Sequence, residues 1–179
     1  MNQKKQPKSA FVEWTQAIVI TLIIAIILRS FVFLFARVEG ISMLDTLHEG
    51  DRLLVSKISY VIGKPDYGDI VIINVSSNAE YVKRIIGKGG DRIKIQQNTV
   101  YKNGIALKEA YLQPDLIYDD FAEVIVPKGF YFVLGDNRPR SKDSRYPSVG
   151  FIAEENIDGK VIFRVWPFNN FNSPYRIGN

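Results

Sequence analysis

Ser42 stands in the stretch "VEGISMLDTLHEGD", residues 38 to 51, just past a long apolar segment. A serine hydroxyl attacks a carbonyl only when a neighbouring base takes its proton. The chain has one histidine, His48, and no cysteine. A Ser-His-Asp arrangement would require His48 to turn back on Ser42, whereas "LHEGD" reads as an exposed polar turn. A lysine can serve instead, provided burial lowers its pKa by several units from about 10.4, so that the amine is neutral. A shift of about 3 units amounts to roughly 4 kcal/mol, so only a well-buried lysine qualifies. Lys83 lies in "EYVKRIIG". Strand alternation puts Tyr81, Lys83 and Ile85 on one face and Val82, Arg84 and Ile86 on the other. A buried Tyr81 face desolvates the amine and a buried Val82 face exposes it; periodicity leaves both open. A third polar cluster, "LGDNRPRSKDSRYPSVGF" (134 to 151), crowds Asn137, Ser141, Asp143, Ser144 and Arg145 behind the apolar run Phe130 to Leu134. Such a loop can orient a neutral lysine or an oxyanion site. With one histidine and no cysteine, neither a metal centre nor a cofactor is expected.

The elements that must position these groups are mostly strands. Beyond residue 37, short runs rich in Val, Ile, Tyr and Phe alternate with turn residues, which predicts a mainly β domain. The expected strands are 52 to 59, 69 to 75, 81 to 87, 92 to 96, 99 to 107, 130 to 135 and 160 to 168. Asn103-Gly104 inside the fifth is a two-residue hairpin signal. Gly-Asp recurs at 50–51, 68–69, 90–91 and 135–136; turn chemistry accounts for the first three. Residues 108 to 128 have weak periodicity, and about 91 to 128 are expected to form a smaller β excursion.

Ahead of the domain, Trp14 to Ala36 carry a single charge, Arg29. As a helix this segment would span roughly 35 Å, enough to cross a bilayer core with some tilt. Lys4, Lys5 and Lys8 precede it, which predicts a cytoplasmic amino terminus. The bulky "RSFVFLFAR" that follows offers no small-residue cleavage site, so an uncleaved anchor is favoured over a signal peptide. The expected organisation is a basic cytoplasmic tail at 1–13, a transmembrane anchor at 14–36 and an extracytoplasmic domain at 37–179, making a single-pass protein of the cell membrane. Of 23 Lys+Arg, 19 lie from Arg37 onward against 18 of the 19 Asp+Glu. A domain so nearly neutral does not have the cationic surface that nucleic acid requires. Phe33, Phe35, Trp166 and Phe168 are expected at the lipid interface.

Three segments in order, Ser42-Met43 in "GISMLDTL" after the anchor, Lys83 in "YVKRIIGKGGD" and "GDNRPRSKDSR", together resemble the type I signal peptidases, membrane-anchored serine proteases that remove signal peptides from exported proteins. The resemblance runs from the anchor to "WPF". It implies a β-sheet, partial-barrel catalytic domain, with Ser42 as nucleophile and Lys83 as general base, and so a buried Lys83. It implies that Ser141 hydrogen bonds the Lys83 amine, that Asp143 and Arg145 hold their loop, that Asp136 is structural and that the Ser42 N–H serves the oxyanion. The substrates implied are preproteins cut after small-x-small sites and bound by strand addition, with membrane lipids and the secretion translocon as partners. Glu39, Gly40, Ile41, Leu47, Tyr81 and Val82 are the expected substrate edge and pocket walls. Gly40 stands where some members place a hydroxyl oxyanion donor. Asp45 replaces the family's proline and is expected to point to solvent. Two other readings are a self-cleaving Ser-Lys peptidase, which gives no reason for an anchor, and a membrane-tethered β domain that binds exported chains without cutting them.

Overall fold

A computed structural model describes residues 10–27, 32–76 and 79–167. It contains helix α1 (Ala10–Ile27), strands β1 (Phe33–Arg37) and β2 (Arg52–Ser56), and a one-turn helix α2 (Ser59–Ile62). Strands β3 (Ile70–Ser76), β4 (Ala79–Lys88), β5 (Arg92–Gln96), β6 (Thr99–Lys102), β7 (Ile105–Ala106) and β8 (Phe121–Ile125) follow. Strands β9 (Phe130–Leu134), β10 (Ile152–Ala153) and β11 (Ile157–Trp166) complete the chain. A seven-stranded antiparallel sheet runs β1-β2-β11-β3-β4-β9-β10, and a four-stranded sheet runs β7-β6-β5-β8.

A strand overlaps each of the expected runs, and β5 to β8 form the smaller sheet. Asn103 and Gly104 both take positive φ (54° and 81°), the backbone that a two-residue hairpin needs. The amino-terminal segment differs from expectation. In place of one helix from 14 to 36, α1 ends at Ile27, and Phe33 to Arg37 form β1, paired with β2 from Phe33↔Ser56 to Arg37↔Arg52. "FVFLFAR" is as good a strand sequence as a helix sequence, and pairing with β2 decides it. Among the described residues no helix is long and apolar enough to cross a membrane. Phe168 lies outside the described residues.

Three apolar clusters hold the domain. Val38, Met43 and Leu47 pack with Leu53, Val55, Ile70, Ile72 and Val161 under the segment that carries Ser42. Ile86, Phe132 and Leu134 meet Ile93, Ile95 and Val126 between the two sheets. Val71, Ile73, Ile85, Val133 and Ile152 fill the opposite side of the large sheet. The two-face choice for β4 is therefore resolved by burying both faces from Lys83 to Gly87.

Candidate active site

The Lys83 amine donates a 2.7 Å hydrogen bond to Ser42 Oγ and a 3.0 Å bond to the Val82 carbonyl. Lys83 is 3% exposed. Burial lowers its pKa to about 8, against the opposing pull of the Asp143 and Asp136 carboxylates. The Tyr81 ring, on the same strand face, lies 5.2 Å from the amine. A half-exposed hydroxyl beside a buried, readily deprotonated amine has the parts of an activated nucleophile.

The segment around Ser42 is clamped from both sides. Asn137 donates its backbone N–H to the Ser42 carbonyl at 3.0 Å and its side-chain amide to the Ile41 carbonyl at 2.9 Å. Thr46 donates to Asp136 Oδ2 at 2.5 Å. Asp136 in turn receives Arg84 Nε at 2.9 Å and Nη2 at 2.7 Å, a two-pronged pair in which both side chains are 1% exposed. The Arg84 guanidinium lies 3.9 Å from the Tyr111 ring centroid. Arg138, equally buried, pairs with Glu109 and donates through Nε to the Gly135 carbonyl at 3.0 Å. Asp143 accepts the Gly135 N–H at 3.1 Å and is bracketed by Arg145 Nε at 2.8 Å and Nη2 at 2.9 Å. Arg145 reaches on to the Arg138 carbonyl at 2.6 Å.

The expected residues therefore divide. Ser42, Lys83, Asp136, Asp143 and Arg145 come together. Ser141 is buried against Gly135, but among the described residues its hydroxyl has no hydrogen-bond partner, and the expected bond to Lys83 is not formed. Glu39, Tyr81 and Val82 line a cleft of about 690 Å³ with Ser42, Met43, Lys83 and β1. Gly40 and Ile41 do not line it; Gly40 makes the turn ahead of Ser42 at φ 82°, and Ile41 offers its carbonyl to Asn137. Leu47 is fully buried and belongs to the core rather than to the cleft. Asp45 is exposed and accepts a hydrogen bond from Gln113, away from the Lys83 amine, and the Leu44–Asp45 peptide bond is cis. Arg84, Thr46, Glu109, Tyr111 and Arg138 went unread in the sequence. Arg84 carried a signal: an arginine followed by two isoleucines in a central strand has to be buried, and a buried guanidinium needs a carboxylate.

The cleft is bounded by two open strand edges. Among the described residues, β1 pairs with β2 alone, and the Ala79 to Lys83 half of β4 pairs only with β3. The successive antiparallel pairings make both strands run toward the Ser42–Lys83 contact, β1 into Val38 and Ser42 and β4 into Lys83. An extended chain laid between them can hydrogen bond to both and present a carbonyl to Ser42.

Against known families, the description "Signal peptidase, peptidase S26" matches residues 11–166. Signal peptidase I T of Bacillus subtilis strain 168 is 44% identical over 175 residues, covering 92% of this chain and 90% of its own. Signal peptidase IB of Staphylococcus aureus is 36% identical over 189 residues, covering 96% and 98%. A crystal structure of a signal peptidase I from Enterococcus faecalis V583 aligns with TM-score 0.48 and 34% identity, over 55% of this chain and 97% of that one. The chain belongs to the signal peptidase, peptidase S26 family, and is a serine endopeptidase.

Proposed function

We propose that this enzyme removes signal peptides from exported preproteins, cutting after small-x-small sites, with Ser42 as nucleophile and Lys83 as general base. The observation that carries the reading is the 2.7 Å contact between the buried Lys83 amine and Ser42 Oγ at the end of a cleft with two open strand edges. Substrate adds as a strand between β1 and β4, and the apolar walls at Ala36, Val38, Ile72 and Val82 accept small side chains at alternate positions. Ser42 Oγ attacks the scissile carbonyl carbon as its proton passes to Lys83 Nζ. The Ser42 N–H supports the oxyanion. Collapse breaks the C–N bond, and the lysinium returns the proton to the leaving amine. Water then hydrolyses the acyl ester with Lys83 again taking and giving the proton.

The same reading places α1 in the membrane, with the amino terminus cytoplasmic and the catalytic domain on the outer face beside the secretion translocon. Phe11, Trp14, Ile18, Val19, Ile20, Leu22, Ile23, Ile24 and Ile26 are all exposed, so apolar groups face outward on every side of α1. A helix apolar all round needs an apolar solvent. The Leu34–Ala79 end of the cleft faces the side from which β1 enters, so a lipid-embedded signal peptide meets the cleft from the membrane. Phe35 and Trp166, 66% and 48% exposed, stand ready to sit among headgroups.

The test is cleavage of a preprotein ending in Ala-x-Ala by the purified chain in detergent or lipid, beside Ser42→Ala and Lys83→Ala. Either substitution is expected to lower kcat by at least about 10³-fold. Activity retained by either variant sinks the dyad; an intact parent that binds and never cuts points to a tethered binding domain.

A further inference from the structure

Helix α2 is fastened on one side and bare on the other. The Ser59 hydroxyl donates to Ser56 Oγ at 2.7 Å, and the Tyr60 hydroxyl donates to Asp69 Oδ2 at 3.0 Å, where Lys160 also pairs at 2.5 Å. Tyr60 packs against the cluster around Val71, Ile73 and Ile85. The two residues that follow, Val61 and Ile62, are 81% and 82% exposed, the barest large aliphatic side chains outside α1 among the described residues. Nothing in the catalytic account uses them. A turn held this firmly keeps its two aliphatic side chains out of the core, and exposed apolar surface of this kind is unfavourable until something apolar covers it.

The position of α2 says what covers them. Lys57 donates its backbone N–H to the Val32 carbonyl at 2.9 Å, which ties the start of the α2 turn to the start of β1. Five residue steps separate Ile27, the end of α1, from Val32, and even a fully extended chain covers no more than about 18 Å in that distance. Lys57 and Lys64 flank the apolar pair and are exposed; Lys64 stands 3.8 Å from Glu154 at the surface. An apolar tip with a cationic rim, held near the end of a membrane helix, fits the boundary between acyl chains and anionic headgroups.

We propose that α2 is a second membrane contact, in which Val61 and Ile62 insert at the lipid interface and fix the tilt of the catalytic domain over the bilayer. The proposal rests on the reading of α1 as membrane-embedded. The absence of cysteine makes single nitroxide labels simple to place. The full chain is reconstituted in phosphatidylcholine–phosphatidylglycerol vesicles with a label at Val61→Cys or Ile62→Cys. Ile23→Cys in α1 and Ile105→Cys on β7 of the smaller sheet, 71% exposed, serve as references. The ratio of collisions with oxygen to collisions with a water-soluble nickel chelate is then measured. Labels at 61 and 62 are expected to give a ratio at least about threefold above that at 105, below that at 23. A hydrocarbon value at 23 with values at 61 and 62 matching 105 overturns the α2 contact alone. Dipolar broadening at 61 between two copies also overturns it, in favour of self-association. An aqueous value at 23 overturns the membrane reading of α1 and the α2 contact with it.

Discussion

Four Gly-Asp pairs precede or follow strands in this chain, and the fourth is built differently from the other three. In each of the first three, the aspartate carboxylate accepts the backbone N–H of the residue three places earlier, at 2.9 Å from His48, 3.1 Å from Asp66 and 2.8 Å from Lys88. Each aspartate N–H returns a bond to the carbonyl of that same residue, at 3.1, 3.1 and 2.9 Å. The glycines before them take φ of 87°, 78° and 98°, where an L side chain is strained. At Gly135-Asp136 there is no such turn. Gly135 is required by space: a Cβ there would collide with the Ser141 side chain and come within 2.5 Å of the Ser42 carbonyl oxygen. Asp136 reaches across the fold to Arg84 and Thr46. The dipeptide thus closes a turn three times, with Asp51 and Asp69 also receiving Arg164 and Lys160 of β11, and once forms no such turn and fixes the floor beneath Ser42.

The comparison is sharpest at the aspartates. Asp136→Ala takes both carboxylate oxygens from the buried Arg84 guanidinium, and is expected to lower unfolding free energy by about 3 to 5 kcal/mol in urea titration. Gly135→Ala displaces the Ser42 carbonyl or Ser141, and kcat on a preprotein is expected to fall about 10²-fold, with a loss of stability of about 1 to 3 kcal/mol. Asp91→Asn, in a local turn, is expected to cost about 1 to 2 kcal/mol and leave kcat at the parent value. Gly90→Ala meets open space but a φ of 98°, so about 1 kcal/mol is expected to be lost through the backbone alone, again with kcat intact. A catalytic defect at Gly90, or a silent Gly135→Ala, would erase the distinction.

What the sequence made legible follows the same line between local and distant. The hairpin at Asn103-Gly104 and the three Gly-Asp turns are settled by a few neighbouring residues, and were readable. Ser42 drew notice as a serine in a chain with a single histidine, whereas strand periodicity left Lys83 open between a buried and an exposed face, and only the likeness of three short motifs favoured burial. The network under Ser42 was not readable: Arg84 finds Asp136 52 residues away, and Arg138 finds Glu109 29 residues away, in a segment of weak periodicity. Leu47 was misplaced because its depth depends on how Met43 and Val38 pack over β2, which no short-range pattern encodes. The stretch from Phe33 was read as helix because its apolar aromatics suit either state until a partner strand is known.

The central claim is that a neutral lysine, not His48, activates Ser42, and the pH dependence of single-turnover cleavage tests it most directly. Burial holds Lys83 near a pKa of about 8. Below that value the amine is charged and cannot take the serine proton, so the rate is expected to rise about tenfold per pH unit and level off above about 8. His48→Gln is expected to leave that curve in place. A rising limb that disappears in His48→Gln would contradict the account.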